Sequence, residues 1–386
     1  MDPARASRVD LDRNPLLVCW EVTKACSLAC THCRAQARAL PGPGELGTAE
    51  ALRVIDDLAR FDPPGPTVVL TGGDPPERPD LVELVRHAAG RGLKVAVAPA
   101  ATPKLTRETL RTLHDAGASA VALSLDAGNA QDHDAFRRAP GSFARACQAV
   151  RDAAEVGLVP QVNTVAHPGN LGQMAEMFLL LRGLGAQSWE VIPLIATGRA
   201  RAARLGLLDP TAMEVLFHFL VDAGGYGVRV YASEAPASRR VALQRRSGAR
   251  PPRDARYRAL RDELVAALGP SQPSLGPLGR ARSGSGFAFI AADGTLMPSG
   301  FLSVGVGNVR EVPVSEMYRD HPLFRALRDP AGFAWPCGLC SWRDACGGSR
   351  ARAYAATRDP FGADPSCRLV AEAQRFPGPR PMPLGG

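Results

Sequence analysis

The stretch Trp20-Glu21-Val22-Thr23-Lys24-Ala25-Cys26-Ser27-Leu28-Ala29-Cys30-Thr31-His32-Cys33 follows directly after a strand-like apolar run that begins at Leu16. It contains three cysteines in the spacing C-x3-C-x2-C. Three thiolates on one short loop can hold three corners of a cubic iron–sulfur cluster and leave the fourth iron without a protein ligand. An iron with an open position can chelate a small molecule and pass it an electron. The stretch therefore predicts a redox-active cluster at the end of a first strand.

The same cysteines are also compatible with zinc, which thiolates bind in closed sites of four ligands. His32 lies between two of the cysteines in sequence, which makes it a difficult fourth ligand. The spacing favours the iron–sulfur interpretation, and zinc remains the alternative.

The C-x3-C-x2-C loop after a first strand resembles the signature of the radical S-adenosylmethionine (SAM) enzymes. In that family the amino and carboxylate groups of SAM chelate the open iron, and reductive cleavage of SAM yields a 5′-deoxyadenosyl radical. The resemblance implies that Cys26, Cys30 and Cys33 hold a [4Fe-4S] cluster. It also implies that SAM is a cofactor and that a hydrogen atom is abstracted from a substrate.

Composition is that of an ordinary globular protein, with 386 residues of which 45% are hydrophobic and 22% charged. The sequence begins without an apolar signal core, and no apolar run approaches the ~18 residues that span a membrane. We therefore expect a cytoplasmic protein with no membrane partner. Seven of the nine cysteines fall into two tight groups, which is typical of metal ligands rather than of disulfides. The net charge of +8 is scattered along the chain, so no nucleic-acid partner is expected.

Strand-like and helix-like segments alternate from residue 16 to residue 194. The strand candidates are 16–22, 67–71, 93–98, 119–125, 158–165 and 188–194. The helix candidates lie near 48–60, 78–90, 106–116, 142–156 and 170–183, and the pattern ends after a helix at 210–222 and an apolar run at 226–231. Short apolar strands are expected where both faces of a sheet are covered. Six β/α units with right-handed crossovers predict an α/β fold, a partial (β/α)6 TIM-like barrel.

Parallel sheets of this kind bind ligands at the carboxyl ends of their strands, and unusual residues occur there. Gly72-Gly73-Asp74-Pro75 follows the second strand, Ser124 and Asp126 end the fourth, and Asn163 and Ile192 lie on the fifth and sixth. Each has a plain alternative: a turn, a helix cap or a satisfied core amide. Their common position at one end of the sheet is what predicts a binding site.

The resemblance assigns these residues to SAM. The run Gly72-Gly73-Asp74-Pro75 is similar to the family's Gly-Gly-Glu-Pro motif, which binds the amino group of SAM, with aspartate in place of the usual glutamate. Ser124 and Asp126 match positions that meet the ribose or the methionyl carboxylate. His32 matches a position whose backbone contacts adenine. Asn163 and Ile192 match further cofactor positions, and no catalytic side chain is assigned.

Residues 232–286 differ in character from the barrel. Pieces rich in arginine and proline flank one amphipathic stretch from Tyr257 to Leu268, and residues 270–286 have the composition of a linker. The charge run predicts a solvated face, with a substrate lid as the alternative.

A second group of cysteines follows a predicted β-hairpin that begins at Phe287. These four are spaced C-x2-C-x5-C-x20-C: Cys337, Cys340, Cys346 and Cys367. Four thiolates fill either a cluster or a zinc site. The hairpin and the array resemble the SPASM extension of radical SAM enzymes, where the four cysteines hold an auxiliary [4Fe-4S] cluster. Ser299 and Ser349 stand at or near positions where such proteins carry further cysteines, so one auxiliary cluster is expected.

The segment 346–367 is most similar to radical SAM proteins that modify haem precursors. The resemblance implies a tetrapyrrole side chain as substrate, with a ribosomal peptide as the alternative, and an external electron donor such as flavodoxin or ferredoxin. A non-enzymatic zinc protein and an electron-transfer protein are the remaining classes. The predicted organisation is a tail (1–11), the radical SAM partial barrel (12–231), a bridging segment (232–286), a small cysteine-rich α+β auxiliary-cluster domain (287–372) and a second tail (373–386).

Overall fold

The computed structural model describes residues 9–273 and 281–375. Six parallel strands form the centre of one sheet in chain order: β1 (Leu17–Thr23), β2 (Thr67–Gly72), β3 (Lys94–Val97), β4 (Ala118–Ser124), β5 (Val159–Ala166) and β6 (Ser188–Pro193). Each strand lies within one residue of its predicted bounds. The predicted partial barrel is confirmed.

Two further parallel strands extend the sheet beyond the six predicted ones. β7 (Arg229–Ala232) pairs with β6 and overlaps the apolar run at which the predicted pattern ended. β9 (Gly286–Ile290) pairs with β1 at the opposite edge. The remaining strands, β8 (Arg282–Ser283), β10 (Thr295–Met297) and β11 (Gly307–Asn308), continue the sheet from β9. The hairpin predicted at residue 287 is therefore continuous with the barrel sheet.

The predicted domain boundaries remain predictions. Parts of the two predicted tails (1–8 and 376–386) and of the predicted linker (274–280) lie outside the described residues. No helix in the described residues is long and apolar enough to cross a membrane.

Helices follow the strands as the sequence predicts. Their bounds are α1 (Thr48–Leu58), α2 (Leu81–Gly90), α3 (Arg107–Asp115), α4 (Ala130–Arg137), α5 (Ser142–Glu155), α6 (Met174–Gly183), α7 (Gly198–Ala202) and α8 (Pro210–Ala223). The apolar pattern did not predict α4 and α7, which are short and carry few apolar residues. α4 begins after Asn129, whose side chain accepts a hydrogen bond from the backbone N–H of Asp132 and so caps the helix.

Burial differs among the strands: β1 and β4 each contain at least three consecutive buried residues, as expected where both faces are covered, whereas β5 is fully buried on one face only. Side chains along β5 alternate between half-buried and buried. The buried side packs against helices: Trp189 of β6 contacts Phe178 of α6 and donates a hydrogen bond of 2.8 Å to the Thr164 hydroxyl. The half-buried side carries polar residues such as Gln161 and Asn163, and it lines the inside of the barrel.

The chain after the hairpin packs onto the barrel. Its helices are α11 (Val314–Asp320), α12 (Pro322–Arg328), α13 (Arg350–Thr357) and α14 (Arg368–Arg375), and the bridging segment contributes α9 (Ala237–Arg246) and α10 (Ala255–Leu268). Tyr318 of α11 meets the ring of Phe61 edge-on at 5.9 Å. The Arg352 guanidinium donates a hydrogen bond of 2.6 Å to the carbonyl of Pro193 at the end of β6.

The bridging segment is only in part the solvated face that its charge run predicts. Arg240 is 3% exposed and forms an ion pair with the buried Glu214 of α8. Arg245 contacts the Asp222 carboxylate at 2.8 Å, and the Tyr257 hydroxyl donates to the same carboxylate at 2.6 Å. The apolar pattern gave no sign of these pairs, because each joins residues far apart in sequence.

The substitution Arg240→Leu is expected to lower the free energy of unfolding by about 3 kcal/mol, because it leaves the buried Glu214 carboxylate without its cation. Arg246→Leu removes the same charge from an exposed position on the same helix and should cost less than about 0.5 kcal/mol. Urea unfolding of the reconstituted protein, followed by circular dichroism, measures both. Equal unfolding midpoints for the two variants would contradict the assignment.

Candidate active site

The first cysteine loop lies at the carboxyl ends of the barrel strands, directly after β1. Cys26 and Cys30 are buried and Cys33 is half-buried, and the three pack in one small cluster together with Leu28. The loop is fixed at its base, where the Cys26 N–H donates to the Arg38 carbonyl at 2.7 Å. The sequence therefore folds these thiols into one place at the mouth of the barrel.

The chemistry of this loop fits a metal cluster. Burial raises the pKa of Cys26 to about 12 and also raises the pKa of Cys30, so thiolates here need nearby positive charge, which iron supplies. Backbone N–H groups already point at the sulfurs, from Leu28 to Cys26 at 3.3 Å and from Ala37 to Cys33 at 3.4 Å. Such donors stabilise cluster sulfur ligands. In residues 9–273 and 281–375 no group of three His, Cys, Asp or Glu side chains is arranged around a single metal ion.

The paired glycines after β2 are needed for contact with the backbone that follows β1. A Cβ atom on Gly72 would lie 2.3 Å from the Thr23 carbonyl oxygen, and one on Gly73 would lie 2.2 Å from that of Ala25. The N–H groups of Gly73 and Asp74 donate to these two carbonyls, each at 2.7 Å. The sequence predicted close approach to a ligand, whereas the structure shows close approach to the cysteine loop itself.

The side chain of Asp74 is fully buried and accepts hydrogen bonds from the loop after β3. One carboxylate oxygen accepts from the Ala100 N–H at 3.0 Å, and the other accepts from the Thr102 hydroxyl at 2.8 Å. Burial raises the pKa of Asp74 to about 6. The predicted contact with the SAM amino group stays a prediction, and the carboxylate already has two protein donors.

Asp126 is buried at the end of β4 and joins this strand to the cysteine loop through Arg137. The Nε and Nη2 atoms of Arg137 each lie 2.6 Å from one carboxylate oxygen, and the Val165 N–H donates to the other at 2.8 Å. Although burial raises the pKa of Asp126, the charge of Arg137 lowers it to about 2. Arg137 also reaches the Cys30 sulfur, at 3.9 Å. The ribose or carboxylate contact predicted for Asp126 stays a prediction.

His32 forms one end of a stack of three rings. Its ring lies 4.4 Å from that of Phe136 at an angle of 7°, and Phe136 in turn stacks on His167 at 4.7 Å. Burial, together with the nearby charge of Arg137, lowers the pKa of His32 to about 3, so the imidazole is neutral. Its Nδ1 atom is buried and has no hydrogen-bond partner in the described residues. The sequence gave no sign of Phe136, which lies on the unpredicted helix α4.

The inner face of the barrel carries the remaining predicted residues. Ser124 pairs in register with Asn163, and both are half-buried, as is Ile192 on the next strand. The structure thus brings them to one face, while their contacts with SAM stay predictions.

A polar network that the sequence did not predict lies on the same inner face. The Gln161 amide donates hydrogen bonds of 2.8 Å to both Asn163 and Glu190, and the Tyr231 hydroxyl donates to Gln161 at 2.7 Å. Burial raises the pKa of Glu190. Alternation of polar residues along β5 is the sequence signal that would have found part of this network.

The second group of cysteines lies in the C-terminal segment. Cys337, Cys346 and Cys367 are buried and Cys340 is half-buried. Burial raises the pKa of Cys346 to about 12 and that of Cys367 to about 11. The Gly348 N–H donates to the Cys346 sulfur at 3.3 Å, and the Trp342 N–H donates to that of Cys340 at 3.5 Å. Backbone N–H groups thus donate to cysteine sulfurs here as they do in the first cysteine loop.

The two serines that stand in or near cysteine positions both have protein partners. Ser299 is fully buried, and its hydroxyl donates to the Glu234 carboxylate. Ser349 caps α13, because its oxygen accepts from the Arg352 N–H at 3.2 Å. The expectation of a single auxiliary cluster stays a prediction.

Comparison with known proteins places the chain in a family. Residues 20–181 match the Radical SAM superfamily. The chain is 35% identical to the AdoMet-dependent heme synthase of Oleidesulfovibrio alaskensis, over 91% of this chain and 86% of that protein; AdoMet is another abbreviation for SAM. It is 34% identical to the protein of the same name from Methanosarcina barkeri, over 92% of this chain and 96% of that protein.

The fold is similar to that of Streptococcus suis SuiB bound to the precursor peptide SuiA. The TM-score is 0.66 at 16% identity, over 92% of this chain and 76% of that one. At this identity the likeness concerns the fold alone. The similarity to the two heme synthases, in contrast, is 34–35% identity over more than nine-tenths of this chain, and together with the match of residues 20–181 it shows that the chain belongs to the radical SAM superfamily.

Proposed function

We propose that this protein forms haem by removing carboxyl groups from the side chains of a tetrapyrrole precursor. As a radical SAM protein it is an enzyme that uses a [4Fe-4S] cluster and SAM. The observation that carries the proposal is the similarity to two heme synthases over nine-tenths of the chain. The peptide-modifying alternative is supported by fold similarity to SuiB, which does not identify a substrate.

In this proposal Cys26, Cys30 and Cys33 hold the cluster that binds SAM. Two of these thiols are buried, and backbone N–H groups point at the Cys26 and Cys33 sulfurs. Arg137 places the positive end of its ion pair with Asp126 beside Cys30, and Asp126 fixes its position. A cation near a cluster ligand favours the reduced, more negative state of the cluster.

SAM would occupy the space between the cysteine loop and the strand ends. We assign its amino group to the backbone of Gly72, Gly73 and Asp74. Ser124, Asn163 and Ile192 lie on the inner face of neighbouring strands, where the remainder of SAM would lie. Asp126 acts through Arg137 in this assignment, because the protein already occupies both of its carboxylate oxygens.

The proposed reaction converts a propionate side chain into a vinyl group. When bound, SAM would supply the radical that takes one hydrogen atom from the carbon attached to the ring. The bond to the carboxylate carbon then breaks, CO2 leaves, and one electron passes to an acceptor. The half-buried inner face of the barrel, with its Gln161, Glu190 and Tyr231 network, provides the polar surface on which the substrate would lie.

We assign the electron acceptor to one auxiliary [4Fe-4S] cluster. Four cysteines in the C-terminal segment would hold it: Cys337, Cys340, Cys346 and Cys367. A site with four thiolates has no open position, which suits electron transfer better than substrate binding. The electron that cleaves SAM would come from an external carrier such as flavodoxin or ferredoxin.

The function is tested by incubating the anaerobically reconstituted enzyme with SAM, a reductant and iron coproporphyrin III. We expect 5′-deoxyadenosine and a porphyrin that has lost carboxyl groups, measured by mass spectrometry. Cys30→Ala should give neither product, because the cluster that binds SAM is incomplete. A wild-type enzyme that makes deoxyadenosine but leaves every porphyrin unchanged would contradict the proposal and favour a peptide substrate.

Iron analysis tests the two clusters independently of the substrate. We expect about eight irons and no stoichiometric zinc per reconstituted chain, because two four-iron clusters are assigned. Replacing Cys26, Cys30 and Cys33 together with alanine should leave about four. The matched control is Cys147→Ala, which removes a buried thiol on α5 outside both groups and should leave the iron content unchanged. About twelve irons would show that a third cluster exists. The prediction of a single auxiliary cluster, which rests on Ser299 and Ser349, would then be wrong.

The variant Cys340→Ala separates the role of the auxiliary cluster from that of the first. We expect SAM cleavage to persist and porphyrin decarboxylation to be lost, because the electron acceptor is incomplete. Circular dichroism shows whether the C-terminal segment has unfolded, which is the competing effect of removing a metal ligand. Near-normal decarboxylation by a well-folded variant would refute the electron-accepting role.

A further inference from the structure

The loop that follows β6 contains the short helix α7, and this helix carries an arginine whose charge is not neutralised within the described residues. The Nε and Nη2 atoms of Arg199 are buried, and neither has a hydrogen-bond partner there. Buried guanidinium nitrogens without acceptors are costly, and such groups normally face a ligand or a carboxylate. Arg201 and Arg204, on the same loop, are exposed and form no ion pair in the described part of the chain.

The backbone of this loop is held against the first cysteine loop. The Arg199 N–H donates to the Cys33 carbonyl at 3.0 Å. Gly198 has a φ of +52°, and a Cβ atom there would lie 2.4 Å from the Cys33 carbonyl oxygen. Arg199 is thereby fixed at the mouth of the barrel, next to the first cysteine loop.

Other arginines at this mouth are neutralised by the protein. Arg137 is paired with Asp126, and Arg34 contacts the Glu21 carboxylate at 2.8 Å. Arg199 differs from both, because the structure supplies no carboxylate for it in the described residues. The missing acceptor is therefore expected to come from a bound molecule.

The two orphaned atoms indicate the chemistry of that molecule. Nε and Nη2 lie on one edge of the guanidinium, and this edge can donate two parallel hydrogen bonds to a carboxylate. Arg78 uses this same edge on both oxygens of Asp80, at 2.6 and 2.9 Å. A carboxylate thus fits the free edge of Arg199 better than a neutral acceptor does.

We propose that Arg199 binds a carboxylate of the tetrapyrrole substrate and so fixes its orientation at the mouth of the barrel. This inference rests on the proposed function, which supplies a substrate with several propionates. The carboxylate of SAM is a weaker candidate, because the family resemblance assigns it to the open iron and to residues such as Ser124. Arg199 is a substrate-positioning residue in this proposal and takes no part in bond breaking.

The test compares coproporphyrin III with its tetramethyl ester, which has the same ring and no carboxylates. Both are titrated by fluorescence into the reconstituted enzyme, its Arg199→Gln variant and the control Arg86→Gln. The control removes the same charge from an exposed site on α2. We expect Arg199→Gln to bind the free acid roughly 10- to 100-fold more weakly while its affinity for the ester changes little. Arg86→Gln should match the wild type with both.

Each other outcome has a distinct meaning. Equal affinities of Arg199→Gln and wild type for the acid would overturn the inference and leave the proposed function standing. A parallel loss of acid and ester binding would show a structural role for Arg199 and would also overturn it. If Arg199→Gln instead loses affinity for SAM, measured without porphyrin, then the carboxylate belongs to SAM. If the wild type binds neither porphyrin, the proposed function itself fails.

Discussion

The close contact between the ends of β1 and β2 is the constraint on which the candidate active site depends. Gly72 and Gly73 press against the carbonyls of Thr23 and Ala25, and N–H groups from the same turn donate to those carbonyls. Any side chain on either glycine would push the two segments apart. Since Cys26 follows Ala25 directly, this contact sets where the cysteine loop begins. The family motif at this turn is therefore explained in part by packing within the protein, before any cofactor is considered.

Electrostatics differ between the two sides of the cysteine loop. On the β4 side, Asp126 neutralises and orients Arg137, which leaves a fixed dipole beside Cys30. On the β6 side, Arg199 carries a charge that no described residue neutralises. The neutral ring of His32 lies on the same loop, stacked on Phe136. The arginine on the β4 side thus has a carboxylate partner from the protein. The arginine on the β6 side has none in the described residues and is placed to bind an anion.

Sequence patterns predicted the parts of the fold that are local in the chain. Strand bounds, the longer helices and the two groups of cysteines follow from apolar periodicity and spacing, and the six-stranded partial barrel was predicted from them. Pairing of β9 with β1 and of β7 with β6 was not predicted, because it joins distant segments. The same reason hid the contacts of Gln161 with Glu190 and Tyr231. The Asp126–Arg137 pair was not predicted because Arg137 lies on helix α4, which was itself not predicted. Helix α4 was missed because its stability comes from a cap and from tertiary contacts rather than from an apolar stripe.

Side chains rather than backbone pairing connect the two edges of the barrel. Among the residues that the structure describes, the sheet runs from β11 to β7 without closing. Glu234, just after β7, accepts hydrogen bonds from Ser283 on β8 and from Ser299 after β10. Arg352 of the C-terminal segment donates to the backbone of both Glu234 and Pro193. The segment that carries the second group of cysteines is thus anchored on the ends of the strands that form the mouth of the barrel. The Glu234 carboxylate therefore links the β7 edge to β8 and to the turn after β10, and the described residues show no backbone pairing between these two edges.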